Sequence, residues 1–167
     1  MRKIITASVI GLAVVAMAVS LYPVVKLNVI SKNYGWYGSY VILPEDGSSG
    51  AVDTGSVSLA TRSAEYREDG IRLTNVVYYP GLRQMAFGFV HDHAEREKYD
   101  RYSIEVADSS GRIVPGTLRV TGGERFYAKY LQKLNFRLEE PLSPQGTYTI
   151  RIVDDQGQPA GSLSVSY

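Results

Sequence analysis

The chain contains no cysteine, only two histidines and a single tryptophan. Without cysteine there is no disulfide, no thiolate-ligated zinc and no thiol catalysis. No Asn-x-Ser/Thr sequon occurs, because Asn28, Asn33, Asn75 and Asn135 all lack a hydroxyl residue two positions on. No Gly-x-Ser-x-Gly elbow is present to expose a nucleophilic serine. Gly122 and Gly123 lie between strand-like runs, without the strand-to-helix context of a phosphate loop. Nor is there an excess of one charge: 18 basic residues face 17 acidic ones, a net +1. Setting aside Arg2, Lys3 and Lys26 at the apolar amino-terminal run leaves 15 basic against 17 acidic, or −2. That balance excludes a broad electrostatic footprint for nucleic acid.

What the chain does have is one long uncharged stretch. Residues 4–25, IITASVIGLAVVAMAVSLYPVV, follow directly on Arg2 and Lys3. About 20 residues at about 1.5 Å rise cross a bilayer core of about 30 Å. Two readings compete. A cleaved signal peptide has a basic start, a short apolar segment and a small-x-small site, and Ala16-Met17-Ala18 supplies such a site. A retained anchor is longer. Here the apolar character continues past Ala18 through Val19, Leu21, Val24 and Val25, which favours the anchor. Pro23 near the end of the run is tolerated in a membrane helix. The slight excess of basic residues before the run predicts a cytoplasmic amino terminus and an extracytoplasmic body. If the Ala16-Met17-Ala18 site is cleaved, the body is secreted instead.

Three parts follow from this: a membrane anchor at 1–30, an aromatic juxtamembrane segment and linker at 31–55, and a folded domain at 56–167. Tyr34, Trp36, Tyr37 and Tyr40 suit a membrane–water boundary, where the ring is desolvated and its polar edge stays wet. They equally suit the start of the domain, with residues 40–43 as a first strand; a platform for sugar rings is a lesser reading. The stretch from Pro44 to Ser56 is rich in Gly, Ser and Asp and reads as a linker or long loop.

From Ser56 onward the pattern has period two, which predicts strands with one face in a core and the other in water. Val57, Leu59 and Thr61 alternate, as do Ile71, Leu73, Asn75, Val77 and Tyr79. Met85, Phe87 and Phe89 share one face, with Ala86, Gly88 and Val90 on the other. Tyr102, Ile104 and Val106 form another run, ended by Asp108-Ser109-Ser110-Gly111. Leu118 and Val120 form a short run closed by Gly122-Gly123. Tyr148, Ile150 and Ile152 precede the turn Asp154-Asp155-Gln156-Gly157, and Leu163, Val165 and Tyr167 finish the chain. About seven short strands separated by turn signals predict an all-β antiparallel sandwich. One stretch reads differently. Tyr127, Leu131, Leu134 and Leu138 have helical spacing, so a short helical turn or loop is expected near residues 124–130, before a strand containing Phe136 and Leu138.

Leu142-Ser143-Pro144-Gln145-Gly146-Thr147-Tyr148-Thr149-Ile150 resembles the turn before the penultimate strand of immunoglobulin-like and fibronectin type III-like sandwiches. With the hairpin that follows, the resemblance covers residues 136–167. It implies that Tyr148 is the corner tyrosine, its hydroxyl bonded to upstream backbone. The chain departs from antibody domains in having neither the cysteine pair nor a tryptophan on a core strand. It is similar to the broad bacterial immunoglobulin-like group, which includes small membrane-anchored envelope proteins.

Few constellations carry chemistry. His91 and His93, in FGFVHDHAEREKYD, would lie on one side of a strand. With Glu95, Glu97 or Asp100 they offer a weak metal set, short of the ligand number zinc requires. A polar strand end running into a solvated loop explains them better, and no metal or other cofactor is assigned. Glu139 and Glu140 are adjacent, so on a strand they point to opposite faces and would not flank one glycosidic bond. Asp154 to Gly157 suits a plain hairpin turn better than calcium. The 13 tyrosines fit strand propensity more than a recognition surface. The expected function is a non-enzymatic envelope module, anchored through residues 4–25 and binding a protein partner. A glycan or small-ligand module is the alternative.

Overall fold

A computed structural model describes residues 2–32, 55–67, 70–93 and 102–167, with the helix side chains described from Ile10 onward. An amino-terminal helix, α1 (Arg2–Lys32), precedes ten strands. They are β1 (Val57–Ser58), β2 (Ala60–Tyr66), β3 (Arg72–Leu73), β4 (Val77–Tyr79), β5 (Gln84–Asp92), β6 (Ser103–Asp108), β7 (Gly116–Phe126), β8 (Lys129–Leu138), β9 (Thr147–Val153) and β10 (Pro159–Ser166). All their pairings are antiparallel. A six-stranded sheet runs β1-β4-β5-β8-β7, with β3 also paired to β5; a four-stranded sheet runs β2-β10-β9-β6. The fold is thus an all-β sandwich preceded by one apolar helix.

The alternation explains the layer between the sheets. Met85, Phe87 and Phe89 of β5 and Leu134, Phe136 and Leu138 of β8 meet Val106 of β6, Ile150 and Ile152 of β9, and Leu163 and Val165 of β10. Each buried aliphatic or aromatic side chain here contributes about 1.5–3 kcal/mol. Leu59, also in this core, lies between β1 and β2, where the chain leaves one sheet for the other.

A second apolar layer lies on the opposite face of the six-stranded sheet. Val77, Tyr79, Leu82, Ala86, Val90, Phe126 and Leu131 pack there with Leu27 and Ile30 of α1. Strands β5 and β8 are therefore buried on both faces, where water was expected on one. Three sequence readings change as a result. Ile71 and Leu73 join the inter-sheet core, but Val77 and Tyr79 face the helix and Tyr78 takes the core position. The non-strand residues 74–76 shift the phase between β3 and β4. Of the helical turn or loop expected near residues 124–130, the structure has the loop, reduced to Tyr127 and Ala128: β7 continues to Phe126, and β8 starts at Lys129. Leu131 and Leu134 have helical spacing because one serves the helix-facing layer and the other the inter-sheet core. Finally, Gly122 and Gly123 do not close a run. They lie within β7, beside a bulge between Val120 and Gly122.

The two aspartate turns are built alike. Asp108 Oδ1 accepts from the amides of Ser110 and Arg112 at 2.9 and 3.1 Å, and Asp154 Oδ1 from those of Gln156 and Gln158 at 2.9 and 2.7 Å. Each carboxylate substitutes for backbone acceptors in a tight turn. At the other end of β9, Tyr148 Oη accepts from the Ser143 amide at 2.6 Å, the upstream backbone bond that the resemblance implies. A Cβ on Gly146 would lie 2.8 Å from both the Ser143 carbonyl and the Tyr148 ring, so only glycine fits there.

Candidate functional site

The features that distinguish this molecule from a bare sandwich converge where α1 meets the β7–β8 hairpin. Residues Ile10–Lys32 are long and apolar enough to cross a membrane. Leu12, Val14, Val15, Met17, Val19, Leu21, Val24 and Val25 are all exposed. The character changes at Lys26. Its ammonium pairs with Glu124 of β7 at 2.5 Å and lies 5.3 Å from the centre of the Phe126 ring. Leu27 and Ile30 then enter the sheet's outer layer, Ile30 at 1% exposure. The Asn75 amide donates to the Ser31 carbonyl at 2.8 Å. The last two turns of the helix thus belong to the folded body.

The hairpin tip reaches further along the helix. Between Phe126 and Lys129 the loop has two residues, Tyr127 and Ala128, and Tyr127 holds a φ of 52°. A positive φ at this position suits the twist of a two-residue hairpin, but it favours glycine over a large aromatic. Tyr127 Oη donates to the Val19 carbonyl at 3.3 Å. That carbonyl is special. In a regular helix it accepts from the amide four residues on, which is position 23. Pro23 has no amide proton, and it lies inside the helix. Tyr127 therefore occupies the acceptor that Pro23 leaves open.

A groove of about 450 Å³ opens between the two elements, walled by Val24, Leu27, Ile71, Val90 and Phe126 and rimmed by Arg72 and Lys129. Lys129 pairs with Asp92 at 2.7 Å. Arg125 Nε donates to the Tyr127 carbonyl at 3.0 Å, bracing the tip. Arg72 Nε is buried without a hydrogen-bond partner.

The histidines lie at the end of β5 beside the hairpin tip, where the His93 amide donates to the Ala128 carbonyl at 2.6 Å, and His91 does something different from the expected solvated strand end. His91 is fully buried at 0% exposure. Its Nδ1 donates to the Asp92 carbonyl at 2.9 Å. Its ring lies 5.3 Å from that of Phe89 and 5.5 Å from that of Tyr130. His93 stacks on the same Tyr130, centres 5.7 Å apart. Both imidazoles are thus packed on one phenol ring. Glu95, Glu97 and Asp100 lie outside the described residues. Among the described residues, no group of three or more His, Asp or Glu side chains is placed to hold a metal ion. Glu139 and Glu140 follow β8 and are exposed.

Tyr34, Trp36, Tyr37 and Tyr40, and the linker reading of residues 44–54, also fall outside the described residues. The aromatic rings placed beside the helix are others. Tyr22 lies on the helix itself, exposed, and Tyr127 on the hairpin tip. Sequence reasoning missed Tyr127 because its neighbours have helical spacing; the signal available was Pro23, whose missing amide requires a partner for Val19. No protein-family model matches the chain, and no curated protein matches it.

Proposed function

We propose that the chain is a single-pass membrane protein with its amino terminus in the cytoplasm. On this reading an immunoglobulin-like sandwich sits against the outer face of the membrane and serves as a non-enzymatic accessory module of the cell envelope, binding a protein partner. The observation that carries this reading is the continuity of anchor and domain. A helix with lipid-compatible side chains as far as Val25 is built into the sheet through Leu27 and Ile30. A domain attached in this way has a fixed orientation relative to the bilayer, which suits an interaction module better than a loosely tethered enzyme. The Ala16-Met17-Ala18 site lies before this junction, and the exposed valines and leucines between it and Lys26 support retention over cleavage.

Because the chain has no cysteine, one introduced thiol reports orientation cleanly. Ile113→Cys lies on the exposed surface of the sandwich. Labelling of intact cells by a membrane-impermeant maleimide supports the proposed side; labelling only after lysis overturns it. Site-specific photocrosslinking at Ile113 and Val120 in the full-length chain then tests the partner. Capture of one defined membrane protein supports the accessory role. Capture of no protein, with co-purification of wall glycan, moves the assignment to a glycan-binding module.

A further inference from the structure

The groove and the hairpin tip carry a second conclusion, which rests on the proposed membrane-spanning reading of α1. If the hydrocarbon core begins at Ile4, about 20 residues at 1.5 Å each bring its far boundary to about Pro23. Val19 then lies about 6 Å inside that boundary and Lys26 about 4.5 Å outside it, at the level of the lipid headgroups. Tyr127 is bonded to Val19 and Glu124 to Lys26. The end of the β7–β8 hairpin therefore descends through the headgroup layer alongside the helix. We infer that this tip is a phospholipid-binding surface: Tyr127 sits in the membrane interface, and the groove behind it faces the headgroups of the leaflet from which α1 emerges.

Four observations agree on the occupant. Tyr127 is 52% exposed, and a phenol ring with a polar edge is favoured at the boundary between hydrocarbon and water. It holds a backbone conformation that glycine would adopt more easily. The groove's apolar wall, Val24 and Leu27, continues the lipid-facing surface of the helix. Charge is complementary to phosphate. Lys26 and Lys129 are neutralised by Glu124 and Asp92, which leaves Arg72 as the guanidinium at the groove's rim with no carboxylate partner among the described residues. The buried Nε of Arg72 lacks an acceptor, and guanidinium is well suited to phosphate.

The test uses the full-length chain in vesicles of phosphatidylethanolamine and phosphatidylglycerol. Trp36→Phe removes the only tryptophan, and Tyr127→Trp places a fluorophore at the tip. A reference chain carries Trp36→Phe with Val120→Trp, an exposed position further along β7. The expected result is blue-shifted emission from position 127, with loss of intensity when the lipid chains are brominated near the headgroup. Position 120 should keep water-like emission and respond to aqueous iodide. Water-like emission from position 127, unaffected by brominated lipid, overturns the inference. So does equal quenching at both positions, which would lay the whole hairpin on the membrane. Alkaline carbonate extraction of the same vesicles separates the two readings. Release of the protein removes the membrane-spanning anchor itself, whereas a retained protein with a wet position 127 removes only the interfacial tip.

Discussion

Tyr127 donates its hydroxyl proton to the carbonyl of Val19, the acceptor that Pro23 deprives of its amide. A proline inside a helix frees one carbonyl from its amide, and here the answer comes from a residue 108 positions later in the chain. This relationship is testable as a coupling. Tyr127→Phe should cost about 1 kcal/mol of stability in the native chain. In a Pro23→Ala background the restored amide takes the acceptor, and the same change should cost close to nothing. Thermal unfolding of the four chains in detergent micelles measures the cycle. Equal costs in both backgrounds would mean that Pro23 does not create the site.

The junction of helix and sheet should behave as core. Leu27→Ala or Ile30→Ala removes side chains buried against Val77, Ala86 and Leu131, and each should destabilise the fold by about 2–4 kcal/mol. Leu12→Ala, at a position 77% exposed, should leave the sandwich unaffected. Hydrogen exchange of the β4 and β5 amides is the readout. Unchanged protection after Ile30→Ala would show that the sheet's outer layer holds without the helix.

Three tyrosine hydroxyls accept from backbone amides: Tyr66 from Leu73 at 2.9 Å, Tyr78 from Leu142 at 3.1 Å and Tyr148 from Ser143 at 2.6 Å. Their removal should not be equivalent. Leu142 is buried, so Tyr78→Phe strands an amide away from water and should cost about 1–3 kcal/mol. Ser143 is exposed, so water replaces the lost partner and Tyr148→Phe should cost about 0.5–1 kcal/mol. Urea denaturation resolves the difference. The reverse order would contradict the assigned roles.

The same tyrosines predict an alkaline limit. Burial raises the Tyr66 and Tyr78 pKa values above 10.0, more than the amide bonds and nearby arginines lower them. The folded state therefore holds these protons after the unfolded state has lost them. Their contribution is complete below pH 10 and falls as pH rises through the folded values. Tyrosinate absorbance should show fewer than the full set of phenols titrating near pH 10 until the chain unfolds.

At the acid end the sign reverses. The Asp108 carboxylate is held down to about 2 from 3.8, first by the Ser110 hydroxyl and then by Arg112. The order of the turn at residues 108–112 is complete above pH 3.8 and is lost as pH falls toward 2. Proton NMR of the Ser110 and Arg112 amides follows the loss, and Asp108→Asn should abolish its pH dependence.

Much of the sandwich is legible in the sequence, because period-two burial leaves a direct mark. Met85, Phe87 and Phe89 face the core together, and the Tyr148 hydroxyl accepts from the upstream Ser143 amide. The candidate site is less legible. Its parts, Val19, Pro23 and Lys26 on one side and Glu124 to Lys129 on the other, are about a hundred residues apart, and no local pattern records their meeting. Even the pattern in the hairpin misleads. A strand buried on both faces loses its alternation, so Leu131 and Leu134 take on the spacing of a helix.

By itself the sequence determined a membrane-length apolar helix, an all-β body and a chemistry without thiols. Each of these depends only on side-chain transfer energies and near-neighbour periodicity, which every residue carries with it. Only the tertiary structure decided that the helix end is part of the body. It also decided that His91 is core packing, and that Tyr127 meets the carbonyl left open by Pro23. Those depend on which strand lies beside which, and that is settled by the summed burial of two layers sharing one sheet.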